Sequence, residues 1–170
     1  DYCAYCVVPY TRGHERMRAK AEIRAEGAAL AASGRREVQL LGQIVNHYQA
    51  PDDMGCDFPE LLSRVHAVPG IERIRFASPH PRHVTDRLID AMAALPKVAR
   101  HLHLPVQSGS TRMLASMRRR HTREDYLSLA QTIDLGNRRG LHGEAGEARA
   151  RAARSEGDAA RLSVAAEARL

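Results

Sequence analysis

Between about residue 15 and residue 135, short apolar runs alternate with longer stretches whose apolar positions recur every three or four residues. This alternation predicts βαβ units and a parallel sheet. Strands are predicted at Glu37-Val-Gln-Leu-Leu41, Arg73-Ile-Arg-Phe-Ala77 and His101-Leu-His-Leu-Pro105. Between the first two, Phe58, Leu61, Leu62, Val65 and Val68 share one helical face before Pro69-Gly70 ends the segment. A second crossover helix follows from Val84, Leu88, Ile89, Met92 and Leu95, with Thr85 as its N-cap and Pro96 as its stop. Ile23, Leu30 and the breaker Gly34 predict a helix ahead of the first strand, weakened by Gly27, which costs about 1 kcal/mol against alanine. After the third strand, Ser110 and Thr122 are predicted to cap two more helices, the second with Asp125 at the capping-box position.

Each strand runs into a polar turn, and ligands of such sheets bind beyond the carboxyl ends of the strands. The turns of interest are Gly42-Gln-Ile-Val-Asn46, Ser78-Pro-His-Pro81 and Val106-Gln-Ser-Gly-Ser110. Beyond about Gly136 the pattern stops, and the last 35 residues hold ten alanines and seven arginines with no aromatic residue and no proline. One domain, 1–135, is therefore expected, followed by an Ala/Arg-rich tail, 136–170. The tail is expected to be disordered or, preferably, the product of out-of-frame reading of GC-rich DNA.

Length and composition change this picture little. A chain of 170 residues with 44% hydrophobic residues fills one core. No run of eighteen apolar residues occurs, and no leader-like segment opens the chain, so no membrane partner is expected. The chain begins at Asp1 without methionine, and an upstream continuation is expected. The excess of 26 Lys and Arg over 20 Asp and Glu, +6, suits a polyanionic partner without demanding one. Aromatic residues, at 4%, lack the interleaving that stacking on single-stranded RNA uses.

Cysteine use is more informative. Cys3-Ala-Tyr-Cys6 has the spacing of a metal or redox site, and three cysteines cannot all pair, which points to a reducing, cytoplasmic setting. Taken alone, the pair is equally half of a zinc site or a redox couple. No second Cys-x-x-Cys follows to complete a zinc ribbon.

The wider run Asp1-Tyr-Cys-Ala-Tyr-Cys-Val-Val-Pro-Tyr-Thr-Arg-Gly-His-Glu-Arg16 resembles the radical S-adenosylmethionine motif Cys-x-x-x-Cys-x-aromatic-Cys, entered after its first cysteine. Leu40–Asn46, Arg73–Pro81, His101–Ser110 and Met117–Tyr126 resemble successive blocks of the methylthiotransferase family, and with the first run they cover about 133 residues. Val8-Pro-Tyr-Thr-Arg-Gly13 and Leu41-Gly-Gln43 are more similar to its tRNA branch than to the relatives that modify a ribosomal protein. Ile44, His47 and His121 depart from that branch, which usually has asparagine, serine and tyrosine there.

The resemblance implies an α/β fold, a partial TIM-like radical S-adenosylmethionine barrel truncated at both ends. It implies a 4Fe–4S cluster with Cys3 and Cys6 as two of its three cysteine ligands, the third lying before Asp1. Three thiolates leave one iron open, and that iron would chelate S-adenosylmethionine. Tyr5 would lie against the cofactor's adenine, and Gln43, Ser78, Gln107 and Ser108 would face the cofactor from the strand ends. The same four residues also suit plain turn-building.

The implied partner is tRNA at its anticodon stem-loop, modified by a monomeric enzyme that installs a 2-methylthio group on N6-isopentenyladenosine. The sulfur donor is left open, and the fragment alone is expected to be inactive. Two alternatives remain: a truncated inactive product, and a small basic zinc or nucleic-acid-binding module. Cys56 is expected to be a spare loop cysteine. His80, His83, His101 and His103 make a weak case for a metal, and Arg118, Arg119 and Arg120 suit either tRNA phosphates or a solvated helix end.

Overall fold

The computed structural model describes residues 3–140, with side chains described through residue 133. In chain order the elements are α1 (Val8–Arg12), α2 (Lys20–Ala32), β1 (Glu37–Leu40), a 3-10 turn (Val45–His47), α3 (Phe58–His66), β2 (Arg73–Phe76), a second 3-10 turn (Pro81–His83), α4 (Asp86–Ala94), α5 (Thr111–Ser116) and α6 (Arg123–Gly140). They fall into two compact units that divide after Val106.

In the first unit β1 and β2 pair in parallel, Glu37 opposite Arg73 through Leu40 opposite Phe76. Such pairing needs a crossover, and α3 supplies it. Its apolar face buries Phe58, Pro59, Leu61, Leu62 and Val65. Asp57 caps its N-terminus, accepting from the Glu60 N–H at 3.1 Å, which satisfies one of the helix's unpaired donors. The core joins this face to Val38, Ile71, Ile74, Phe76, Leu88 and Val98. Each such side chain contributes about 1.5–3 kcal/mol when fully removed from water. Phe58 and Phe76 meet edge to face at 5.1 Å between ring centres.

The second crossover helix, α4, forms with the predicted cap, Thr85 Oγ1 accepting from the Leu88 N–H at 3.3 Å. The third strand does not form at His101–Pro105. The parallel partner of Ile74 is Val98, with Ile74 N–H donating to the Lys97 carbonyl at 2.7 Å and Ala99 N–H to the Ile74 carbonyl at 2.8 Å. The reason is burial. Val98 is 2% exposed, whereas residues 101–105 alternate between exposed and half-buried positions, with Leu102 only at the core margin. Pro105 also has no N–H to give a ladder. A barrel is not visible among the described residues; the α/β layer consists of β1, β2 and the Val98 bridge.

The helix expected before β1 is present as α2. Gly34, with φ +86°, ends it: Arg35 N–H donates to the Leu30 carbonyl at 3.0 Å and Gly34 N–H to the Ala31 carbonyl at 2.9 Å. This crossed pair closes a helix through a left-handed residue that glycine adopts without strain.

The second unit is built differently. Leu114 is its one fully buried apolar side chain among the described residues. Ser110 caps α5 through the Met113 N–H. Thr122 and Asp125 cap α6 reciprocally, at 2.8 Å and 3.0 Å, which holds the Asp125 carboxyl below its usual range. Thr111 Oγ1 ties the two helices, accepting from Arg123 N–H at 3.2 Å and donating to Glu124 at 3.1 Å. The Ala/Arg-rich tail expected over 136–170 lies, beyond Gly140, outside the described residues.

Candidate functional site

The cysteine pair stands at the entrance to α1, a five-residue helix with a proline in its first turn. Cys6 N–H donates to the Cys3 carbonyl at 3.1 Å, so the backbone turns between them. Both sulfurs are thiols rather than halves of a disulfide, and both residues are half-buried. From 37 residues along the chain, Gln43 Nε2 donates to Cys6 Sγ at 3.4 Å. The first polar turn after a strand has thus been brought to the cysteine segment.

Gln43 also lines a cleft of about 430 Å³ between α2 and the first strand, alongside Ile23, Leu30, Val38, Leu40 and Phe58. Ser78 occupies the neighbouring turn with φ +63°, and its carbonyl accepts the Val45 N–H at 3.3 Å. It does not line the cleft. Tyr5 is 57% exposed. Gln107 and Ser108 belong to the second unit; Gln107 takes φ +68°, and Ser108 Oγ accepts from the Ser110 N–H at 3.1 Å, a local turn that leads into α5.

The residues that tie the two strand-end turns together are others. Asn46 Nδ2 donates to the His80 carbonyl at 3.0 Å, and His80 N–H donates to Asn46 Oδ1 at 2.8 Å, with both residues buried. Beside this clamp His47 and His83 stack with ring centres 4.4 Å apart. Burial, then the neighbouring His47 and Arg82, push His83 down to about 4. Both turns are polar in sequence, but the pairing between them has no signal in either segment alone.

Several expectations change. Cys56 lies in a loop as expected, but its side chain is 0% exposed and part of the core, and burial raises its pKa. Its carbonyl accepts the Ala50 N–H at 2.9 Å. His101 and His103 are exposed, whereas His80 is buried in the clamp. Among the described residues no group of three or more His, Cys, Asp or Glu side chains is arranged to hold a metal ion. Arg119 is buried, while its neighbours Arg118 and Arg120, both at φ +56°, are exposed. No helix among the described residues is long and apolar enough to cross a membrane.

Two soft thiols three residues apart, in one turn and outside any disulfide, suit an iron–sulfur centre better than a hard cation. The family model of the radical SAM superfamily matches residues 1–134, and the chain belongs to that superfamily. Membership brings a 4Fe–4S cluster and S-adenosylmethionine as the cofactor pair. Among curated proteins, the chain is 53% identical over 133 residues to the tRNA-2-methylthio-N(6)-dimethylallyladenosine synthase of Caldicellulosiruptor saccharolyticus, covering 78% of this chain and 28% of the relative. The protein of the same name from Thiobacillus denitrificans is 52% identical over 134 residues, covering 78% and 30%. That from Alkaliphilus oremlandii is 47% identical over 133 residues, covering 78% and 28%. The chain therefore spans less than a third of the length of these relatives.

Proposed function

We propose that this chain is the cluster-bearing part of a tRNA methylthiotransferase that installs a 2-methylthio group on N6-isopentenyladenosine next to the anticodon. The observation that carries the reading is the identity of about half the residues, over 133 positions, to synthases named for that product. The geometry supports it through the turn that presents Cys3 and Cys6 together with Gln43.

In this reading Cys3 and Cys6 are two ligands of the cluster, and the third cysteine precedes Asp1. When bound, the cluster and S-adenosylmethionine supply a deoxyadenosyl radical by one-electron cleavage. The chain's own contribution is to hold two thiolates in one turn. Gln43 and Ser78 stand in the strand-end turns, Tyr5 offers an aromatic face between the ligands, and Gln107 and Ser108 belong to the same set. The partner is the tRNA anticodon stem-loop, the setting is cytoplasmic, and the enzyme acts as a monomer. The segment 136–170 is proposed to be out of frame, in keeping with a family match that stops at residue 134; reading the other frames of the coding DNA tests this.

The test of function is anaerobic reconstitution, with iron and sulfide, of the gene product including the residues ahead of Asp1. A reduced-cluster paramagnetic resonance signal is expected, and it shifts on adding S-adenosylmethionine. A signal indifferent to the cofactor removes the reading. Zinc uptake in place of iron favours the small zinc module.

A further inference from the structure

Gln43 belongs to the set expected to face S-adenosylmethionine, yet its partner in the structure is a sulfur. Its amide Nε2 donates to Cys6 Sγ at 3.4 Å across 37 residues of sequence. Both ends of this contact are held by other bonds. Cys6 is fixed by its N–H to the Cys3 carbonyl. The turn that carries Gln43 is fixed by Val45 N–H on the Ser78 carbonyl and, one residue further, by the two bonds between Asn46 and His80. Gly42 lets the turn close this tightly, since a Cβ there would stand 3.2 Å from the Val45 Cα.

We infer that Gln43 sets the reduction potential of the iron–sulfur centre by donating a hydrogen bond to the Cys6 ligand sulfur. The inference rests on the proposal that Cys6 is a ligand. Its physics is simple. An amide N–H placed on a thiolate stabilises negative charge on that sulfur, and the cluster carries one more negative charge after it takes an electron from an external one-electron reductant. A donor at this position therefore favours the reduced form and raises the potential, one of the levers by which proteins spread such potentials. The amide does not titrate, so the effect is present at any working pH. Gln43 is a positioning residue here, acting through the sulfur it touches.

The experiment uses the gene product with its upstream residues, reconstituted anaerobically, with iron and sulfide counted before a potentiometric titration followed by paramagnetic resonance. Gln43→Leu is expected to load as much iron as the parent and to be harder to reduce. At the poise where half of the parent is reduced, its reduced-to-oxidised ratio is expected to fall several-fold and by no more than about tenfold, the part of one charged hydrogen bond that is gained on reduction, or up to about 59 mV for one electron. Gln43→Glu, which adds a negative charge, moves in the same direction. Equal iron with equal potentials overturns the inference and leaves the ligand assignment standing. If Gln43→Leu loads less iron, Gln43→Asn keeps the amide but shortens its reach; a potential unchanged in that variant likewise overturns it. Iron uptake by Cys6→Ala equal to the parent's removes the ligand assignment, and the role of Gln43 goes with it. Iron count and potential thus separate the two failures.

Discussion

The face formed by α3 and β2 and the turn that bears Cys3 and Cys6 lie in one unit, but they hold their residues by opposite means. On the first, Phe58, Leu62 and Ile74 are 0% exposed, and each is fixed by neighbours on every side. On the second, Tyr5, Val7 and Tyr10 are 57%, 62% and 90% exposed, and main-chain turns, the Thr11 hydroxyl on the Val8 carbonyl and the reach of Gln43 to Cys6 help hold the segment. Burial therefore concentrates on the α3 and β2 face, whereas the proposed ligands Cys3 and Cys6 sit on a more exposed segment. Substitutions should sort accordingly, into those that unfold the chain and those that leave it folded but unable to hold iron.

The largest effect that tests this division is Leu62→Ala. Losing a fully buried side chain and leaving a cavity costs about 2–5 kcal/mol. Urea unfolding followed by circular dichroism measures it, and a loss below the range shows that the α3 face is not the stabilising one. Next comes the clamp between the two turns. Asn46→Ala removes both buried bonds to the His80 main chain, a loss of about 1–3 kcal/mol by the same measurement.

The same turns carry a pH signature. His83 is neutral when folded because burial holds it at about 4 against an ordinary 6.5, so the unfolded chain takes up a proton first as the solution is acidified. Its contribution to stability is complete above about 6.5 and is lost progressively as pH falls towards about 4. His83→Gln is expected to flatten the dependence of the urea midpoint across that window, and an unchanged slope assigns the acid sensitivity elsewhere.

The smallest effect has the opposite sign. A Cβ at Gly27 would meet only Val68 Cγ2 at 3.9 Å, an ordinary contact, in the middle of α2. Gly27→Ala is expected to stabilise by about 0.5–1 kcal/mol, by limiting the freedom of the unfolded chain. A loss of stability would show that the contact is tighter than it stands.

What was legible in the sequence follows a physical rule. Thr85, Ser110 and the Thr122–Asp125 pair act within three residues of themselves, so their capping bonds are written locally, and all form. The apolar face of α3 has a fixed period and forms as well. The third strand was misplaced because the alternation at His101-Leu-His-Leu is also what a half-exposed connector shows; only the vacancy beside Ile74 selects Val98, and that is a property of the packed core. Asn46 with His80, and His47 with His83, join segments more than thirty residues apart, and neither segment encodes its partner. At the candidate site, family resemblance named Cys3, Cys6 and Gln43, but that the partner of Gln43 is sulfur emerged only once the chain was folded.

The parallel ladder carries a consequence for how the molecule comes into being. Glu37 and Arg73 are bridged at 3.0 Å but stand 36 residues apart in the chain. Closing a loop of that length costs about 3 kcal/mol in chain entropy before the ladder returns anything, so pairing is a late event. The α3 helix, with its own cap and amphipathic face, can form ahead of it and shorten the gap. Pulse-labelled hydrogen exchange should find α3 amides protected before those of β1, and the reverse order would place nucleation in the sheet. During synthesis β1 emerges with no strand to pair with, and the turn holding Gln43 has no anchor until the Ser78 segment follows. The contact to Cys6 is then set late, so the turn bearing Cys3 and Cys6 gains its Gln43 partner only after the Ser78 segment has docked.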